Sequence, residues 1–311
     1  MNEVKLRGLV AAAHTPFDGA GMLNLGVVEK QAAHYLANGI NTAFIGGSTG
    51  ESHSLSLDER RALAARWFEV VRGTPLRVVV HVGSNCLADA RILAAQAEQL
   101  GALAISALAP SYFKPNSVAR LVESCAEIAS AAPNTPFYFY DIPGLTGLHL
   151  SMPDFLEQAA DRIPTLRGIK FTNSDLMSFQ RCLRMDNGAF DIPYGTDEWV
   201  LAALALGAEG AVGSTYNFAA PVYHRLIAAF RKGDLAAARE EQFRSVQLIT
   251  LLISYGYMGA AKATMKMLGV DVGPARLPNG TLTAAQFDKL RVELEAMGFF
   301  EWISNRQALP A

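Results

Sequence analysis

The sequence predicts an α/β fold, a (β/α)8 TIM barrel with a C-terminal helical extension. Three observations carry that expectation. Short, continuously apolar runs rich in Val, Ile, Phe and Tyr alternate with longer stretches of helical period, the mark of a parallel sheet buried under helices. Eight such units fill residues 1–232, close to the roughly 250 residues such a barrel takes. No G-x-G-x-x-G turn follows an early strand, so the dinucleotide site of a doubly wound sheet is missing.

The strands are expected over 9–13, 42–46, 77–82, 102–108, 137–142, 166–171, 190–194 and 210–213. Helices are expected between them, over 26–38, 57–71, 87–100, 117–131, 153–160, 175–185, 198–206 and 221–231. Ser56 and Glu59 have the spacing of a capping box, Pro153 suits a first helical position, and Gly39 and Gly101 stand where helices stop. Beyond residue 232 the alternation ends. Stretches 235–267 and 283–297 are helical in period, joined by VGPARLPNG, so 233–311 reads as a helical extension.

Composition narrows the function classes. Half of the 311 residues are hydrophobic and 18% are charged, which excludes wholesale disorder. Twenty-seven basic residues against 29 acidic ones, with no basic cluster, give no support for binding nucleic acid or an anionic membrane. The longest apolar run near the C-terminus, LITLLISYGYMGAA, is interrupted by Ser254, Gly256 and Gly259, and the apolar stretch at the N-terminus stops at His14. Neither reads as a signal peptide or a membrane span. Three scattered cysteines, Cys86, Cys125 and Cys182, make neither a disulfide framework nor a metal knuckle and suit a reducing, cytoplasmic compartment. The six histidines lack metal-ligand spacing, so no metal is expected.

In a barrel the chemistry belongs to the C-terminal ends of the strands. Lys170 lies in the otherwise uncharged stretch GIKFT. Facing inward, its amine would be desolvated, its pKa lowered, and a nucleophile for a ketone made available. Facing outward, its stem would lie under a helix with the head in water. Tyr140 sits on the preceding strand at comparable height, either as a proton relay to that lysine or as one more packed ring of FYFY. The turn GGSTGES carries Ser48 and Thr49. Lacking a Gly-Lys-Ser/Thr ending, it suits a carboxylate better than a phosphate, and a plain tight turn is the other reading. Its G-x-S-x-G letters precede no prompt helix, against a hydrolase elbow. Asp197 and Glu198 open the helix after strand seven, either complementing its dipole or accepting hydrogen bonds from a polyhydroxylated ligand, with Ser214 as a further contact.

Taken together and in order, GGSTGES, YDIPGLTG, GIKFT, GTDE and GAVGSTYN resemble the N-acetylneuraminate lyase / dihydrodipicolinate synthase family, with similarity running through essentially the whole chain. The resemblance implies a class I aldolase, a carbon–carbon lyase without cofactor, with Lys170 as the Schiff-base lysine and Tyr140 as the proton relay. It assigns carboxylate binding to Ser48 and Thr49, and contacts with a sugar tail to Thr172, Gly195, Asp197, Glu198 and Ser214. It also implies a homotetramer. Dihydrodipicolinate synthases carry an arginine where Leu145 stands here, so the resemblance favours cleavage of N-acetylneuraminate to pyruvate and N-acetylmannosamine. The alternatives are an aldolase for a shorter 2-oxo sugar acid and a non-catalytic protein that binds a sugar acid. Gly144, where sialic acid lyases typically have alanine, is expected to enlarge the local space slightly.

Overall fold

The chain folds around seven parallel strands: β1 (Gly8–Ala12), β2 (Thr42–Ile45), β3 (Arg77–His81), β4 (Ala104–Leu108), β5 (Phe137–Asp141), β6 (Leu166–Phe171) and β7 (Gly210–Gly213). They neighbour one another in the order β6-β5-β4-β3-β2-β1-β7. The computed structural model describes residues 4–304; residues 1–3 and 305–311, the outer limits of the expected barrel and extension, lie outside the described residues.

The expected strand over 190–194 is the point of difference. Residues 191–194 close the cylinder through isolated bridges to β6 and β7 rather than as a regular strand. Asp191 N donates to Arg167 O, and Ile169 and Phe171 donate back to Asp191 O and Pro193 O. On the other side, Tyr194 N donates to Gly210 O and Val212 N to Tyr194 O. In that alternation the next rung would run from residue 193 to Ile169 O. Proline has no N–H to give, so the rung is missing.

Alternation along each strand sorts the core into two parts. Phe137 and Phe139 of β5 pack outward under the helices, whereas Tyr138 and Tyr140 point into the cylinder beside Phe44, Val79 and Leu108. The floor of the cylinder is tied by Asp191, whose Oδ2 accepts hydrogen bonds from Leu6 N and Tyr138 Oη, both at 2.7 Å.

Burial raises the Asp191 carboxyl from 3.8 to about 6, against the pull of those two donors. Between those pH values the folded chain holds a proton that the unfolded chain has released, so this group costs stability as pH rises through the window. Burial lowers His14 and His81 instead, and they act with the opposite sign. Comparison with Asp191→Asn cancels them. Melting temperatures at pH 4 and pH 7 are expected to shift in the variant's favour at the higher pH, and a gap independent of pH would contradict this account.

The helices α1 (Val28–Ala37), α2 (Leu57–Val70), α3 (Leu87–Gln99) and α4 (Val118–Ala129) cover the sheet, and the Ser56/Glu59 capping box forms. A short α5 (Pro143–Thr146) follows β5, then α6 (Met152–Ala160), α7 (Leu176–Arg184) and α8 (Val200–Leu206). Asp197–Trp199 form a separate 3-10 turn ahead of α8. Helix α9 (Tyr216–Arg231) starts before Pro221, not at it, with a kink at Ala219 (φ −126°). The Asn217 carbonyl, which residue 221 of a regular helix would bond, accepts from His34 Nε2 instead.

The expected helix over 235–267 is two, α10 (Leu235–Ser254) and α11 (Tyr257–Met267), parted at Gly256, whose φ of 80° breaks the helical path. Helices α12 (Ala284–Met297) and α13 (Phe299–Ser304) complete the extension. Among the described residues, no helix is long and apolar enough to cross a membrane.

Candidate active site

Lys170 enters the cylinder because the strand alternation of β6 sends Ile169 and Phe171 outward. It is 4% exposed and lies directly across the ladder from Tyr140. Its Nζ stands 3.9 Å from the centre of the Tyr140 ring and 4.3 Å from that of Phe44, an aromatic seat that holds the head group without an acidic partner. The outward alternative for this lysine is excluded by the geometry.

Tyr140 is equally enclosed, its ring edge-on to Phe44 and His81. Its hydroxyl lies 3.3 Å from Ser48 Oγ, so the phenol connects the lysine to the small-residue turn. That turn folds down onto Phe44: a Cβ on Gly47 would stand 2.6 Å from the Phe44 ring. Thr15 Oγ1 donates to Gly50 O at 2.6 Å, and Glu51 N donates back to Ser48 O. Ser48 and Thr49 are left partly open at the mouth.

His81 supports this arrangement from behind. Its Nδ1 lies 3.0 Å from Gly46 O while its Nε2 accepts from Leu108 N. Burial first, and the neighbouring Arg60 second, hold its pKa well below 6.5. It is therefore a neutral brace. Among the described residues, no three His, Cys, Asp or Glu side chains gather as a metal ion would need.

On the opposite side of the mouth, Thr172 and Gly195 touch. A Cβ on Gly195 would fall 1.8 Å from Thr172 Oγ1, so only glycine permits the approach. Asp197 is 5% exposed; its Oδ2 accepts from Thr215 N at 2.9 Å and Thr215 Oγ1 at 2.6 Å. Its Oδ1, with the Tyr216 hydroxyl nearby, fills the space that a side chain on Gly213 would need. Burial raises this carboxyl to about 6, with the Thr215 bonds opposing.

Glu198 is half-buried and near enough to Asp197, Tyr194, Tyr216 and Tyr257 for its charge to act on them. It makes none of the hydrogen bonds that join the other candidates and borders a groove with Trp199, Leu201 and Leu235. Leu145 is 68% exposed. A Cβ on Gly144 would meet nothing within 4 Å, so the methyl missing here would project into open space.

One site residue was not foreseen. Ser214 Oγ is hydrogen-bonded at 2.6 Å to Tyr257 Oη, delivered by α11 of the extension. Burial, then the Asp197 carboxylate, push this phenol's pKa up. The signal available in the sequence is the pair of glycines around it. Gly256 turns the chain and Gly259 lets α11 approach the Gly280 carbonyl, which a Cβ would meet at 2.4 Å.

Comparisons with known proteins agree with one another. The profile of the dihydrodipicolinate synthetase family matches residues 5–297. The chain is 42% identical to N-acetylneuraminate lyase A of Xenopus laevis over 277 residues, 88% of this chain and 90% of that one. It is 37% identical to N-acetylneuraminate lyase of Gallus gallus over 297 residues, 94% of this chain and 96% of that one. Among solved structures, Proteus mirabilis N-acetylneuraminate lyase superposes with a TM-score of 0.92 at 41% identity, covering 95% of this chain and 99% of that one.

Proposed function

This chain belongs to the dihydrodipicolinate synthetase family, and from that premise we propose that it cleaves N-acetylneuraminate reversibly to pyruvate and N-acetylmannosamine as a class I aldolase. The observation that carries the reading is the enclosure of one amine, one phenol and one hydroxyl-bearing turn together. Lys170 Nζ lies against the Tyr140 ring, and the Tyr140 hydroxyl stands 3.3 Å from Ser48 Oγ.

The open-chain sugar presents its C2 ketone to the Lys170 amine, and loss of water gives a protonated imine. That imine accepts the electron pair of the C3–C4 bond as it breaks. Tyr140, with the substrate carboxylate, takes the proton from the C4 hydroxyl, which leaves as the aldehyde of the second product. The enamine left on Lys170 is protonated at carbon and hydrolysed to pyruvate. Ser48, Thr49 and the N–H groups of their turn hold the carboxylate, which fixes the reacting carbon over the amine.

Thr172, Gly195, Asp197 and Ser214 face the hydroxyl-bearing tail. The Asp197 carboxyl, held by both donors of Thr215, fixes the wall on that side. Glu198 contributes through its charge at the rim. We further infer a homotetramer in the cytoplasm. The exposed Tyr112 and Phe113 after β4, and Phe243 and Ile253 on α10, offer apolar surface for association, and the three cysteines are unpaired.

Pyruvate release tests the reading. N-acetylneuraminate is expected to be cleaved in preference to shorter 2-oxo sugar acids, and Glu198→Ala to lower that preference roughly tenfold or less, as befits a rim charge. A wild-type preference for the short acids would replace this substrate with the shorter class.

A further inference from the structure

The turn that faces the carboxylate is gripped from outside the barrel. Glu51, the residue directly after Ser48-Thr49-Gly50, adopts the left-handed conformation (φ 54°, ψ 36°), which a residue with a Cβ rarely takes. Its side chain is fully buried, and Oε1 lies 2.6 Å from Nζ of Lys262, itself 2% exposed, on α11. The same ammonium donates to Thr15 O at 3.0 Å and to Pro274 O at 2.8 Å. Thr15 in turn holds Gly50 O through its hydroxyl. Glu51 Oε2 accepts from Arg276 N at 2.8 Å and from Asn279 Nδ2 at 3.4 Å. Arg276 is fastened to Glu59 of α2 and to the carbonyls of Gly21 and Ser54.

A glycine would adopt the conformation at 51 without strain. A glutamate there makes sense if the carboxylate is what the position needs. Lys262 thus touches the turn on both flanks, through Glu51 after it and Thr15 beside it. A buried ion pair is an expensive way to gain stability, since both ions lose their hydration, and such pairs are better suited to fixing one geometry. Here the geometry fixed is that of three small residues whose donors must point at a substrate carboxylate.

We propose that Lys262, through its ion pair with Glu51, is a positioning residue that sets the carboxylate-binding turn, so that the C-terminal extension is part of the substrate-orienting apparatus. The proposal rests on the Schiff-base reading above and extends it. Its specific content is that Lys262 acts on the carboxylate, not on the amine.

The test is borohydride trapping on Lys170 with two ketones, pyruvate and hydroxyacetone, the second lacking a carboxylate. In Lys262→Met, the pyruvate concentration for half-maximal trapping is expected to rise about tenfold or more while hydroxyacetone trapping changes less than about twofold, and Lys262→Arg to restore part of the loss. Equal losses for both ketones would mean a general structural role, and no loss for either would mean no role; each overturns the proposal. If Lys262→Met fails to fold by circular dichroism, Glu51→Gln keeps the shape and removes the charge, and the same two-ketone comparison is read from it. Failure of the wild-type protein to trap pyruvate would sink the Schiff-base reading itself, an outcome separate from the others.

Discussion

Replacing Lys170 with methionine is expected to lower pyruvate release from N-acetylneuraminate by more than about 10^4-fold, because the reaction then has no amine to form the imine that accepts the electron pair. The fold should survive. The methionine stem occupies nearly the same volume between the Phe44 and Tyr140 rings, and the head group it replaces has no acidic partner to strand. The check is a pair of measurements on one preparation: turnover, and borohydride-dependent incorporation of labelled pyruvate. Wild-type protein should gain one pyruvate on the peptide bearing residue 170, and the variant none. Substantial turnover in the variant would mean that another group attacks the ketone, and the mechanism proposed for this pocket would fall.

Tyr140→Phe comes next in size. The ring remains against Phe44 and His81, so packing is little disturbed, but the hydroxyl 3.3 Å from Ser48 Oγ is lost. A positioned acid–base group contributes about 10^2- to 10^4-fold, and the fall is expected in kcat, with a smaller change in KM. Imine formation by borohydride trapping should persist at reduced rate, which separates this variant from Lys170→Met. A loss confined to KM would make Tyr140 a binding residue and leave the proton transfer to the substrate carboxylate alone.

The strand pattern was readable because parallel strands buried on both faces are written as unbroken Val, Ile, Phe and Tyr runs, and the runs at 77–82 and 137–142 contain little else. The same logic picked out Lys170, a charge inside such a run. What it left open was the lysine's direction, since alternation says that neighbours face opposite ways and not which way either faces. The register of β5 on β6, with Tyr140 against Lys170, settles that, and register depends on the stagger of the closed cylinder. The strand expected over 190–194 and the helix expected over 235–267 ran through Pro193 and Gly256, although one has no N–H to give and the other is free to turn. The Ser214–Tyr257 and Lys262–Glu51 contacts were not legible. They join the barrel to its extension, and hydrophobic period carries no information on how two distant segments dock. Glu198 shows the same gap on a small scale: how it stands relative to its neighbour Asp197 is set by the 3-10 turn Asp197–Trp199, which hydrophobic period does not announce.

A cylinder stitched from parallel strands yields first where a stitch is absent. Here that seam runs along residues 191–194, where proline withholds a donor from the carbonyl just ahead of Lys170. The pairs β2–β3 and β4–β5 each keep four residues in register, whereas β5 on β6 shifts register between Phe137 and Tyr138. Opening of the wall is therefore expected first between β6 and residues 191–194, and hydrogen exchange of the amides along that seam checks it. Lys170 stands on the strand that borders this seam, so any opening there is felt at the amine as well as at the wall facing the sugar chain.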